Sequence, residues 1–145
     1  MIFLTAGLGF GDEGKGSIVD YLVRRHKASL VVRYNGGCQA GHNVVTNDGR
    51  HHCFAQFGAG TFAGAATHLS EHVVVNPVSL WSEARCLKEC GDADAVNRLS
   101  VHRDCLVTTP FHGAANRLRE LSRGRHRHGS CGMGIGEAVE DRDEL

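Results

Sequence analysis

Short apolar runs alternate along this chain with segments whose apolar positions recur every three or four residues. Ile2 to Ala6 reads as a buried strand, followed by a glycine-rich loop from Gly7 to Gly16. From about Ser17 to His26 the side chains of Ile18, Val19, Leu22 and Val23 share one face of a predicted helix. Ser29 to Tyr34 predicts a second strand, ended by Asn35-Gly36-Gly37, and His52 to Phe57 a third, with Gly58 to Gly64 irregular. His72 to Val75 is a short β-branched strand. Asn76 then offers an N-cap and Pro77 a first helical position for a helix running to Cys90, which Gly91 closes. Leu99 to Val107 predicts one more strand. Thr109-Pro110 opens a helix through Ala114, Ala115, Leu118 and Leu121, with Arg123 in its last turn and Gly124 as its stop. Strands alternating with helices predict an α/β fold, a mainly parallel sheet with flanking helices. The acidic run from Glu137 to Glu144 reads as a solvated tail.

Composition narrows this picture. A chain of 145 residues builds one domain, here residues 1–145, with its own core. Sixteen basic residues balance sixteen acidic ones, so the chain lacks the basic field that a nucleic-acid binder uses to displace counterions. No basic stretch precedes the apolar N-terminus, and no apolar run approaches the roughly twenty residues that span a bilayer. The expectation is a cytoplasmic protein with no membrane partner. The six cysteines, at positions 38, 53, 86, 90, 105 and 131, form no C-x-x-C pair and read as reduced thiols. Nineteen glycines are the one excess, and they place the chemistry in loops.

Three glycine-rich segments carry it. The first, Gly9-Phe-Gly-Asp-Glu-Gly-Lys-Gly-Ser17, has the spacing of a P-loop, with Gly9 four residues before Gly14-Lys15. Its backbone amides and the following helix N-terminus suit the phosphates of a purine nucleotide, and Lys15 adds a point charge. Two features depart from the usual loop. Gly16 stands where Ser or Thr normally holds magnesium, and Asp12 and Glu13 lie inside the cradle. An acid there is costly unless it binds a metal or takes a proton, which makes Asp12 a catalytic candidate. The second segment, Tyr34-Asn-Gly-Gly-Cys-Gln-Ala-Gly-His42-Asn, follows a strand directly, at the sheet edge where α/β proteins gather ligands. The third, Gly129-Ser-Cys-Gly-Met-Gly-Ile-Gly136, leaves backbone amides free to wrap an anion, with Ser130 adding a hydroxyl.

In sequence and order, the stretches GFGDEGKGSIVDYL, VVRYNGGCQAGHNVV, NPVSLWSEA and GSCGMGIGEAVEDR resemble the adenylosuccinate synthetase family along the whole chain. The resemblance implies a GTP-dependent ligase that joins L-aspartate to IMP, or a related 6-oxopurine nucleotide, through a 6-phosphoryl intermediate. It implies Asp12 as the base and magnesium ligand, Lys15 as the phosphate lysine, and His42 as the group that hydrogen-bonds the transferring phosphoryl and acts as acid. It further implies a GTP site of Gly11, Asp12, Glu13, Gly14, Lys15, Gly16, Ser17, Gly41, His42 and Asn43. The implied IMP site comprises Asp12, Glu13, Gly14, Lys15, Gln39, Ala40, Gly41, His42, Ser130 and Cys131. Mg2+ would be held by Asp12 and the carbonyl of Gly41.

The chain departs from the family pattern in several places. Gln39 replaces an asparagine, Ser130 and Cys131 replace paired threonines, and Met133 and Glu137 replace an arginine and a proline. An arginine that reaches the neighbouring subunit's site falls on Leu145. The resemblance also implies that guanine recognition and aspartate binding belong to a further part of the family's fold, so that this chain looks incomplete beside it. The expectation is that a homodimer or a complementing chain finishes the site. The alternative is a truncated, non-catalytic remnant that binds nucleotide or phosphate.

Overall fold

A computed structural model describes residues 1–11 and 13–144. The described residues form six strands and four helices. At the centre lies β4 (Ala66–Val75), flanked on one side by β1 (Leu30–Gly37). On its other side β5 (Leu99–Val101) and then β6 (Leu106–Val107) pair in succession. All three pairings are parallel, as the alternation of strands and helices predicts. A separate antiparallel hairpin, β2 (His42–Val45) with β3 (His51–Phe54), stands beside helix α1 (Lys15–His26).

The capped helices form where the sequence places them. The Asn76 side chain accepts a hydrogen bond from the amide of Ser79 at 2.9 Å, and Pro77 occupies the first turn of α2 (Pro77–Glu89). Thr109 caps α3 (Pro110–Ser122), where the His112 ring accepts a hydrogen bond from the Thr109 amide. Gly58 to Gly64 is irregular, as expected, apart from a 3-10 turn at Thr61–Ala63.

Other elements differ from expectation. Ile2 to Ala6 is not a strand: among the described residues it pairs with none, and Ile2 and Leu4 are almost fully exposed. An apolar run becomes a strand only when a ladder partner satisfies its backbone, and here only the Phe3 ring docks, 4.4 Å from the ring of His26. α1 starts at Lys15, two residues before the predicted Ser17, with Gly14 as its N-cap. β1 runs on through Asn35-Gly36-Gly37, because those residues pair with His72, Val73 and Val74. β3 stops at Phe54, three residues early, because the Glu83 carboxylate takes the amides of Ala55, Gln56 and Phe57 away from the ladder. β4 begins six residues before the predicted His72. Leu99 to Val107 divides into two strands, because a turn at His102–Cys105 follows β5. The acidic tail is a helix, α4 (Ile135–Glu144), with Glu137 and Ala138 buried.

The main core lies between α1, α2 and the hairpin, around Val44, Phe54, Phe57, Phe62, Ala84 and Leu87. Phe54 and Phe62 meet edge to face at 5.2 Å. Leu69, Val73 and Val75 of β4 form a second buried cluster. On β1, Leu30, Val32 and Tyr34 alternate with more buried neighbours and stand exposed. The six cysteines are free thiols.

Candidate functional site

Two loops meet at the N-terminus of α1. Gly14 adopts φ +72°, a left-handed conformation that favours glycine, and turns the chain from the loop into the helix. Gly16 then packs against the start of β2, where an added Cβ would lie 2.8 Å from the Cβ of His42 and 3.1 Å from the carbonyl of Asn43. That contact gives a physical reason for glycine where a P-loop carries Ser or Thr. The neighbouring Ser17 hydroxyl points to the Asn43 carbonyl at 3.5 Å.

The cleft between the loops has a volume of about 460 Å3 and is lined by Gly11, Glu13, Gly14, Lys15, Gly16, Ser17, Gln39, Ala40, Gly41, His42 and Asn43. Every residue expected at the GTP site is therefore on one surface, apart from Asp12, which lies outside the described residues. Leu145 lies outside them too. Gln39 and Ala40, expected at the IMP site, share this surface, whereas Ser130 and Cys131 do not line it.

Among the described residues of the cleft, Lys15 and Glu13 pair with each other. The Glu13 carboxylate accepts hydrogen bonds from the Lys15 ammonium and the Gly9 amide. The Lys15 bond is the main reason its carboxyl is held below the ordinary value. His42 is half-buried, and its pKa is pulled down from 6.5 to about 4. Desolvation is the main cause, and the positive charges of Arg33 and Lys15 add to it. His42 is thus a neutral imidazole at pH 7.

Arg33 and Glu83 support this site; both fall in stretches that carry the resemblance, but neither is among the expected site residues. The buried Arg33 guanidinium donates to the carbonyls of Ala55 at 2.6 Å and Phe57 at 3.4 Å. Glu83, also buried, accepts from the amides of Ala55 at 2.9 Å and Gln56 at 2.7 Å. A signal exists for each. Arg33 interrupts an apolar strand at an inward position, and Glu83 occupies the apolar face of α2 between Leu80 and Leu87.

The third loop follows α3 and leads into α4. It touches the second loop through Ile135, whose Cδ1 lies 2.6 Å from where a Cβ on Gly37 would be. The Ser130 hydroxyl donates to Asn116 Oδ1 at 2.8 Å, and the Asn116 amide donates to Glu137 Oε1 at 3.0 Å. Glu137 therefore has a structural partner where the resemblance implies proline.

Carboxylate and carbonyl oxygens, as Asp12 and Gly41 would offer, are the donors that magnesium takes. Elsewhere, Glu71, His102 and Asp104 bring one ligand atom each within 4.8 Å of one another. None of the three lines the cleft, and all are at least partly exposed.

A parallel sheet with glycine-rich loops gathered into one polar cleft defines an α/β protein of the P-loop-like kind. The adenylosuccinate synthetase family model matches residues 4–144, and the chain belongs to that family. Among curated relatives, the adenylosuccinate synthetase of Clostridium novyi is 33% identical over 142 residues, covering 98% of this chain and 33% of its own length. That of Marinomonas sp. is 38% identical over 137 residues, covering 94% and 31%. This chain thus spans about a third of the length of those relatives. The fully ligated adenylosuccinate synthetase of Plasmodium falciparum superposes with a TM-score of 0.79 at 24% identity, covering 92% of this chain and 31% of that one. A cyanophage S-2L succinoaminodeoxyadenylate synthetase, bound to dGMP and dATP, gives 0.59 at 22% identity, covering 91% and 40%. At those identities the two structures support the fold alone.

Proposed function

We propose that residues 1–145 form the N-terminal nucleotide-binding domain of a GTP-dependent ligase of purine nucleotide biosynthesis. It joins L-aspartate to IMP, or to a related 6-oxopurine nucleotide. The observation that carries this reading is the cleft that brings the first and second glycine-rich loops together, with Lys15 and His42 on one surface. In a family member those loops belong to one site.

Each role follows from the chemistry of its residue. Asp12 takes the purine N1 proton. Lys15 leaves Glu13 for the nucleotide phosphates, because a triphosphate group carries several negative charges against the single one of the carboxylate it replaces. His42, kept neutral by burial and by the charges of Arg33 and Lys15, gains a proton when anionic phosphate approaches, and then donates it to the transferring phosphoryl group. Gln39 contacts the purine nucleotide through its amide. Magnesium, held by Asp12 and the Gly41 carbonyl, would neutralise developing phosphoryl charge. Guanine recognition and the aspartate pocket belong, in this reading, to parts of the family's fold outside the third that residues 1–145 span. A cytoplasmic location goes with this reading; among the described residues no helix is long and apolar enough to cross a membrane.

A second reading is a chain that binds nucleotide without turning it over. One observation favours it: the Ser130 hydroxyl is turned to α3 and away from the cleft. Calorimetric titration with GTP and then IMP, with magnesium and aspartate present, tests both. Saturable binding lost in Lys15→Ala, with phosphate release lost in Asp12→Ala, supports the ligase. Binding with no phosphate release supports the second reading, and no binding of either nucleotide removes both.

A further inference from the structure

Three successive backbone amides of the third loop converge on one acceptor that belongs to the chain itself. His128, Gly129 and Ser130 donate to the Glu120 carboxylate at 3.4, 2.9 and 3.4 Å. A run of convergent amides of this kind is an anion receptor. Glu120 lies in the last turn of α3, its side chain is only 12% exposed, and Arg123 closes on it from the same helix. Burial works to raise the carboxyl's pKa, but Arg123 and the Gly129 and Ser130 amides outweigh it, so the group stays anionic.

The same contacts use up the donors that a phosphate would need. Ser130 has two, its amide and its hydroxyl. The first is held by Glu120 and the second by Asn116. No phosphate can take the Ser130 amide while Glu120 sits in the nest, and a nearby carboxylate repels a dianion as it arrives.

We propose that Glu120 is an internal anion that occupies the third-loop nest and is displaced when the phosphate of a nucleotide monophosphate binds there. The proposal rests on the reading of Ser130 and Cys131 as part of the IMP site, and adds a regulatory element to it. The exchange is favourable because a phosphate monoester presents three oxygens and nearly two charges, against one charge on the carboxylate. Arg123 keeps Glu120 paired after it leaves, since both side chains belong to the turn that ends α3. The His128, Gly129 and Ser130 amides are thereby released from α3 only when ligand is present.

The test compares wild type with Glu120→Gln and Glu120→Asp in titrations with IMP, inosine and inorganic phosphate. Glu120→Gln removes the charge, and Glu120→Asp shortens the arm that reaches the nest. The expected result is IMP binding about ten-fold tighter in Glu120→Gln, a smaller gain in Glu120→Asp, and unchanged affinity for inosine, which has no phosphate. Tighter binding of inorganic phosphate, with movement of the Gly129 and Ser130 amide resonances, would assign the nest to phosphate in general; a gain for IMP alone would assign it to the nucleotide. Unchanged or weaker IMP binding in both variants, with Lys15-dependent GTP binding intact, would overturn the proposal and leave the nucleotide reading standing. Binding of neither IMP nor GTP by any of the three proteins would overturn that reading and the proposal with it. Far-UV circular dichroism on each variant establishes that it is folded, and loss of fold in one leaves the other to decide.

Discussion

Gly16 and His42 stand so close that a methyl group on the first would overlap the second, with 2.8 Å between the two Cβ atoms. The first turn of α1 and the start of β2 are thereby locked in register, and Lys15 and His42 are placed by one packing contact. Gly16→Ala is expected to cost about 1–3 kcal/mol, the usual penalty for overfilling a packed site. It should also weaken GTP binding, because His42 or Lys15 must shift. Urea unfolding together with calorimetry measures both, and a variant as stable as wild type would show that the contact yields freely.

Lys15→Ala is expected to weaken triphosphate binding more than ten-fold, about 1.4 kcal/mol or more. The same substitution removes the ion pair that holds Glu13, so the Glu13 carboxyl should titrate closer to its ordinary value. Calorimetry reads the first effect and carboxyl NMR the second. An unchanged dissociation constant would place the triphosphate elsewhere.

His42 sets a dependence on pH. The unfolded chain takes up a proton at this residue near pH 6.5, whereas the folded chain resists it until about pH 4. Between those values the unfolded state binds more protons, so the contribution of His42 to stability, complete above pH 6.5, is lost as pH falls toward 4. His42→Gln should flatten this part of the profile, as measured by denaturation at a series of pH values. Imidazole NMR should give an apparent pKa near 4 in the free protein and a higher one with nucleotide bound.

Glu83→Ala strands the amides of Ala55, Gln56 and Phe57 in the interior and leaves the buried Arg33 without its nearby negative charge. The expected loss is about 3 kcal/mol or more, read from denaturant midpoints. Glu83→Gln, which keeps an acceptor, should lose less. Equal losses would mean that charge, and not hydrogen bonding, holds the segment after β3.

How much of this was legible depended on whether the cause was local. Helices α2 and α3 announce themselves through Asn76-Pro77 and Thr109-Pro110, because capping is decided within a few residues. The loops that line the cleft are likewise readable in their glycines, with Lys15 and His42 beside them. Ile2 to Ala6 has a strand's composition, but a strand also needs a neighbour, which composition does not report. β2 escapes notice because its four residues begin with His42 and Asn43. The start of β4 hides behind His68 and Ser70, polar residues set between the buried Thr67 and Leu69. For α4 the charge run misleads, since Asn116 gives the buried Glu137 a partner 21 positions away. The nest at Ser130 is beyond sequence for the same reason, because its occupant comes from the preceding helix.

The topology also sets an order of assembly. Leu30 pairs with Ala66, Thr67 with Leu99 and Val74 with Leu106, so each ladder of the main sheet joins positions more than thirty residues apart. Only the hairpin of β2 and β3 closes over a short turn. The entropy of closing those long loops must be met before any sheet contact rewards it, which slows folding. On a ribosome, β1 therefore waits unpaired until β4 has emerged, with Arg33, buried in the fold, open to solvent in the meantime.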